Sequence, residues 1–270
     1  MTNKFAQAMQ IIRGVRQQTD TAILYYSAGG KDGIALLDML SGVFDKVICY
    51  YMYLIPDLDH VRPYIQWAEG HYRNVEVRCI PHFQRDIWLA NGFFCDPVEG
   101  AKIRKVGEVE EEVRRETGLH YAFSGMKSVD GYMKRMRLKM YGKKGYVTDK
   151  GMVYPLANWT NKDVLQYIKA RNLIHPFVYV EGDVSQGFNI SLDCMLLMKY
   201  RYPNDFERIL KEFPYSGKLL WDFCEGQIPK GQEESVAKVL KVLNKEYLMP
   251  KVVKTVEATE APEVDDTPEE

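Results

Sequence analysis

Through the first eighty residues, apolar runs of strand length alternate with stretches of helical period. Ala22-Ile23-Leu24-Tyr25-Tyr26 is one unbroken apolar run, Lys46-Val47-Ile48-Cys49-Tyr50-Tyr51-Met52-Tyr53 is a second, and Val75 to Ile80 is a third. Runs of this length, rich in β-branched and aromatic residues, predict buried strands. Between them, residues 4–18, a segment starting near Lys31 and residues 59–71 carry apolar positions at helical spacing. Strand and helix in alternation with short connections predict an α/β fold, a doubly wound and mostly parallel sheet with right-handed crossovers.

Further along the pattern loosens. Residues 82–103 hold Gly92, Pro97 and Gly100 and predict a loop with a short helix. Glu108 to Glu116 predicts a solvated charged helix, and Leu119 to Gly125 a fourth strand. Thr160 followed by Asp163 is a relative of the capping box and starts a helix that runs to about Arg171. From Ser191 to about Leu248 the chain reads as helical, interrupted by Pro203, Pro214 and Pro229. No internal repeat is visible.

The most informative break lies between the first strand and its helix, at Ser27-Ala28-Gly29-Gly30-Lys31-Asp32-Gly33. A strand feeding a helix through glycines presents free backbone N–H groups and a helix N-terminus, and both favour an anion such as phosphate. Lys31 adds a mobile positive charge. A plain tight turn with a solvated Lys-Asp pair is the bland alternative, and the position after a first strand of an open α/β sheet weighs against it. A second candidate region is Gly125-Met126-Lys127-Ser128-Val129-Asp130-Gly131, which places a cation just past a late strand. Between residues 127 and 144 stand Lys127, Lys134, Arg135, Arg137, Lys139, Lys143 and Lys144, against Asp130 alone. Cations at that strand end are expected to meet phosphate or sulfate, with a solvated basic loop as the bland alternative. Lys139, Lys143 and Lys144 read as a solvated basic loop.

Charge refines this picture only slightly. The formal net charge is -1, yet residues 255–270 carry seven acidic residues and no base. Without those seven, 30 acidic residues face 36 basic ones, so the body of the chain leans toward anionic partners. A hydrophobic content of 46% suits a folded soluble chain. No apolar stretch is long enough to cross a membrane, and the first residues lack a signal-peptide core. The five cysteines are scattered without Cys-x-x-Cys spacing, which predicts a reducing cytoplasmic setting and no dedicated metal site.

The glycine bend resembles the PP-loop, the Ser-Gly-Gly-Lys-Asp-Ser signature of ATP pyrophosphatases and of the phosphoadenosine phosphosulfate (PAPS) reductase family. It is not a Walker A loop, because Lys31 follows the glycines at once and no Lys-Ser/Thr pair occurs. Two positions depart from the signature: Ala28 stands where the family has its first Ser, and Gly33 where it has its last. The stretch from Gly125 to Arg135 is similar to the family's Gly-x-Arg-x-x-(Glu/Gln)-Ser-x-x-Arg segment, with Lys127 in place of the first Arg. Pro155-Leu156-Ala157-Asn158-Trp159-Thr160-Asn161-Lys162-Asp163-Val164-Leu165-Gln166-Tyr167-Ile168 resembles a third family run, whose content is mainly structural.

These three stretches, in the family's order, span about residues 20–200. The resemblance implies an adenine nucleotide alpha hydrolase-like, Rossmann-like fold: a nucleotide-binding α/β domain over residues 1–190, a helical region over 191–248 and a disordered acidic tail over 249–270. It implies that Tyr26, Ser27, Ala28, Gly29, Gly30, Gly33, Gly125, Lys127 and Arg135 bind the nucleotide, while Lys31 and Asp32 serve catalysis. ATP with Mg²⁺, or a sulfonucleotide such as PAPS, is the implied ligand.

Three activities follow from the resemblance. The first is cleavage of ATP at the α-phosphate to activate an acceptor, which suits the Lys31-Asp32 pair. The second is sulfonucleotide reduction with a thioredoxin-like or sulfur-carrier partner. The family's Glu-Cys-Gly-(Ile/Leu)-His motif is missing here, and Cys224 and Cys194 are both expected to be buried and inert. The third is a nucleotide-binding subunit, without turnover, of a nucleic-acid modification or sulfur-transfer complex. A nucleic-acid acceptor has only the basic stretch, with Tyr132, Tyr141 and Tyr146 nearby, in its favour.

Overall fold

The computed structural model of the chain describes residues 2–177, 188–250 and 254–256. Its elements, in order, are α1 (Thr2–Arg16), β1 (Thr21–Tyr25), α2 (Lys31–Ser41), β2 (Lys46–Tyr53), α3 (Arg62–His71), β3 (Val75–Pro81), α4 (Phe83–Asn91) and α5 (Val106–Thr117). There follow β4 (Ala122–Phe123), α6 (Tyr132–Tyr141), β5 (Met152–Val153), α7 (Asn161–Ala170), α8 (Leu192–Arg201) and α9 (Pro203–Glu212). Last come α10 (Lys218–Cys224), β6 (Gln227–Pro229), α11 (Glu233–Val242) and β7 (Lys254–Val256).

Two compact units share this chain. The first takes residues 1–52, 61–80 and 112–177, and the second takes 53–60, 81–111 and 178–270. They are therefore interleaved in sequence, where the resemblance implies contiguous stretches meeting at residues 190 and 191. The segments that follow β2 and β3 leave the first unit and return to it.

In the first unit five strands form a parallel sheet in the order β3-β2-β1-β4-β5. Thr21–Tyr25 runs in register with Lys46–Tyr50, and Ile23-Leu24 with Ala122-Phe123. Alternation along β1 decides which face each side chain feeds. Ala22 and Leu24 join the cluster built by Ile12 of α1, the Ile34–Leu40 face of α2, and Val164 and Ile168 of α7. Ile23 joins the opposite cluster with Val113, Leu138 and Met152. Helices on both faces make this a doubly wound α/β fold.

The strand order reverses between β1 and β4, and the C-terminal ends of these two strands flank the crevice where such sheets hold ligands. The fourth strand is shorter than its sequence suggests, two residues rather than seven, because the parallel partner β5 offers only Met152-Val153. That strand and α6 were not foreseen.

The second unit is mainly helical. Trp88 of α4 packs edge-on against Phe94 and Phe213. The buried carboxylate of Asp205 accepts from His60 Nδ1 at 2.8 Å, from the His60 backbone N–H at 2.9 Å and from Arg208 at 2.9 Å. Burial alone would raise the Asp205 pKa, but the hydrogen bonds from His60 and Asp59 bring it below the ordinary value. Within the tail expected to be disordered from residue 249, Lys254–Val256 pairs in parallel with Gln227–Pro229. The acidic run 257–270 lies outside the described residues. Among the described residues no helix is long and apolar enough to cross a membrane.

Candidate functional site

Directly after β1 the chain makes a tight turn, with the Gly30 N–H donating to the Ser27 carbonyl at 2.7 Å. Gly29 has φ +82°, and a Cβ on it would sit 2.9 Å from the Phe177 Cβ and 3.2 Å from the Tyr64 ring. Both the left-handed backbone and the crowding require glycine there. The Gly29 carbonyl is held by the Phe177 N–H at 2.8 Å, so the residues after α7 brace the bend from one side.

The Ser27 hydroxyl points into the turn. It would collide with any β-carbon at Gly30 and would lie 3.2 Å from one at Gly33. The two departures from the signature are thus linked: the hydroxyl has moved to position 27, and the position it crowds has lost its side chain.

Helix α2 begins at Lys31 with Gly30 as its N-cap, and no side chain caps it. The amides of a first helical turn lack intrahelical partners. At this start the cap is a glycine, and the positive end of the helix dipole lies there. This is the local geometry that receives an anion.

Two lysines converge on the same spot from different strands' ends. Lys31 is only 3% exposed, and its Nζ lies 3.3 Å from Asp32 Oδ2. Lys127, fully buried, reaches the same Asp32 oxygen at 2.6 Å and Asp130 Oδ1 at 2.9 Å. These are ion-pair contacts; the angles at the Lys127 ammonium fall short of directed hydrogen bonds. Asp130 also accepts from the Lys127 backbone N–H at 2.8 Å, which fixes the loop after β4. Gly125 allows the approach, since a Cβ on it would meet the Asp32 Cβ at 2.8 Å. The second carboxylate oxygen of Asp32, Oδ1, is buried and has no hydrogen-bond partner among the described residues.

Burying ammonium groups is costly unless carboxylates compensate them. Asp32 and Asp130 do so here. A polyanion entering the crevice would compete with Asp32 for both lysines, and Asp32 Oδ1 would be left to accept a donor or to share a cation.

The other expected site residues are placed as follows. Ala28 lies in the turn itself. Tyr26 serves the core instead: its N–H donates to the Tyr50 carbonyl at 2.9 Å, and its buried hydroxyl donates to the Tyr64 carbonyl at 3.3 Å. Burial pushes its phenol well above the ordinary range. Neither its ring nor its amide is left for a ligand. Arg135 is exposed on α6, where its Nε donates to the Ser128 carbonyl at 3.2 Å. It supports the loop that carries Lys127 rather than joining the buried cluster. Asp130 was passed over as a lone acid, although its i,i+3 spacing from Lys127 was the available signal.

Among the described residues no group of three or more His, Cys, Asp or Glu is arranged to hold a metal. None of the five cysteines, all of which lie among the described residues, forms a disulfide. Cys194 is buried, and desolvation pushes its thiol above the ordinary range. Cys224 corrects the expectation of a buried thiol, for it is exposed. Leu220 and Phe223 face the core from α10, which turns Trp221 and Cys224, three residues apart, to solvent.

Comparison with known proteins gives one family. The phosphoadenosine phosphosulfate reductase domain matches residues 22–209. No curated protein matches the chain. Similar solved structures include the U34-tRNA thiolase NcsA from Methanococcus maripaludis with its 4Fe–4S cluster, at 13% identity and TM-score 0.42 over 89% of this chain and 80% of that one. Another is phosphoadenylyl-sulfate reductase from Candida auris in a phosphate complex, at 16% identity and TM-score 0.40 over 63% of this chain and 81% of that one. At such identities a likeness carries no chemistry from one protein to another.

Proposed function

We propose, for a chain that belongs to the phosphoadenosine phosphosulfate reductase domain family, that it binds ATP at the Ser27–Gly33 bend and cleaves it between the α- and β-phosphates. An acceptor oxygen or nitrogen forms a bond to the α-phosphorus. The bridging α–β P–O bond breaks, and its electron pair leaves with pyrophosphate. The first-turn amides of α2 cradle the phosphates, and Lys31 and Lys127 stabilise the charge gathering on the departing group. Asp32 holds both lysines in position before the nucleotide enters. Its unpartnered Oδ1 suits a Mg²⁺ shared with the phosphates, since that ion uses one or two carboxylates and substrate oxygens. Its role would be to screen phosphate charge.

The observation that carries this reading is the pair of buried ammonium groups meeting one carboxylate beside an uncapped helix start. Calorimetry tests the binding and isotope exchange tests the chemistry. ATP should release heat, and labelled pyrophosphate should enter ATP in the presence of an acceptor and vanish in Lys31→Ala. An absence of heat with ATP, ADP and sulfated adenosines would end the proposal. Binding without exchange would favour a subunit that holds nucleotide without turning it over.

The exposure of Cys224 favours a second reading. A thiolate there would attack the sulfur of a sulfonucleotide and displace the phosphoadenosine phosphate, and a thioredoxin-like dithiol would release sulfite by disulfide exchange. Thioredoxin-dependent sulfite release that is lost in Cys224→Ser would select it over adenylylation. Free cysteines suit a cytoplasmic setting for either reaction.

A further inference from the structure

We propose that α6 and the turn after it form a docking surface for a single-stranded phosphodiester chain. That this strand is the acceptor rests on the ATP chemistry proposed above; the docking itself does not.

Helix α6 is anchored by one side chain. Leu138 alone is buried, in the cluster with Ile23 and Met152. At 100° per residue the opposite side carries Tyr132, Met133, Met136 and Met140, which are 69%, 72%, 43% and 72% exposed. Arg137 flanks this stripe on one side, and Arg135 and Lys139 on the other. Lys143 and Lys144 continue the charge past the helix, and no carboxylate occurs from Gly131 to Thr148. Among the described residues only Lys144 of these cations has a carboxylate partner, Asp149.

A helix that only faced water would not set its largest apolar side chains directly opposite its anchor. Apolar and aromatic surface rimmed by unpaired cations suits a ligand with charge and flat apolar faces in alternation. A single-stranded nucleic acid has that character: phosphates meet the cations, and bases lie on the tyrosine and the polarizable methionines. Membrane-surface helices instead carry Trp, Phe or Leu along a longer face. The surface also leads to the candidate site, because Arg135 Nε binds the Ser128 carbonyl within the loop that bears Lys127.

Fluorescence anisotropy with the full chain, without ATP, tests this using a labelled mixed-sequence RNA of about 20 nucleotides and the DNA of the same sequence. Binding should weaken as salt rises from about 50 to about 200 mM, with a log–log slope of about -3 to -4 for five or so phosphate contacts. The double charge reversal R137E/K139E should weaken binding at least about tenfold and flatten that slope. Tyr132→Ala should weaken binding about fivefold or more with the slope unchanged, as loss of stacking does. All three side chains are solvent-exposed, so unchanged circular dichroism melts certify the fold.

A preference for RNA or for DNA identifies the natural strand. No binding of either at about 50 mM salt overturns the proposal, as does binding indifferent to R137E/K139E. Binding only to vesicles of phosphatidylcholine with phosphatidylserine, or to an acidic protein in place of the oligonucleotides, overturns it as well. Exchange of pyrophosphate into ATP is measured separately: its loss with strand binding intact counts against the ATP chemistry, and the reverse result counts against the docking surface.

Discussion

Two helices of the same unit begin in opposite ways. At α7 the Thr160 hydroxyl accepts from the Asp163 N–H at 3.2 Å, and the Asp163 carboxylate accepts from the Thr160 N–H at 2.7 Å. Lys4 adds an ion pair at 2.7 Å to the same carboxylate. The Thr160 hydroxyl, the Thr160 N–H and the Asp163 carboxylate are answered by one another, which is the arrangement that stabilises a fold. At α2 the cap is a glycine without a side chain, and the nearby carboxylate is committed to two buried lysines instead. One start is closed on itself and the other is kept open. The chain writes a capping box at position 160 and none at position 30, and the nucleotide binding proposed above would account for that choice.

The contrast can be broken at its open end first. Lys31→Ala should lower pyrophosphate exchange by about 100-fold to 1,000-fold, the size typical of losing one stabilising donor in a transition state, with the thermal midpoint little changed. A comparable fall in stability and in turnover would assign the lysine to the fold. Gly29→Ala should cost about 1–3 kcal/mol in denaturant titration, because a side chain at φ +82° is strained and meets Phe177. ATP affinity should fall with it.

At the closed end the order of effects reverses. Thr160→Ala should cost about 1 kcal/mol of stability while leaving ATP affinity intact in calorimetry. If nucleotide binding fell instead, the two helix starts would not be separable. The smallest effect concerns acid. Hydrogen bonds from Lys4, then from Thr160, hold the Asp163 carboxyl well below its ordinary value of 3.8. Its stabilising contribution is therefore complete above about pH 4 and is lost as the pH falls through the lowered value. Asp163→Asn should lower stability near neutrality and make the acid limb of a pH–stability curve shallower.

The sheet was legible because the central runs of β1 and β2 are buried on both faces. The apolar run Lys46–Tyr53 and the helix start at Lys31 stand in the structure where the sequence puts them. Helix α6 was hidden because Leu138 is its one buried residue, so no helical period of apolar positions exists against a background of methionine and charge. The two-residue β5 is too short for any pattern.

The site was legible in its backbone and less so in its side chains. The Gly-Gly-Lys-Asp bend marks the tight turn and the helix start that stand there. Nothing in the sequence shows that Lys127 would be fully enclosed, since a lysine past a strand is expected to reach water. Cys224 was misplaced for a related reason. The run Leu219-Leu220-Trp221-Asp222-Phe223 is apolar at four of its five positions, which fixes no rotational phase, and the packing of Leu220 and Phe223 decides that the thiol faces out.

The interleaving of the two units has a consequence for how this protein can be handled and inherited. The covalent path passes from one unit to the other at residues 52, 60, 80, 111 and 177. A single cut anywhere from residue 53 to 177 therefore removes part of the parallel sheet's unit or of its helical companion. Neither unit is one continuous stretch, so neither can be exchanged as a single cassette.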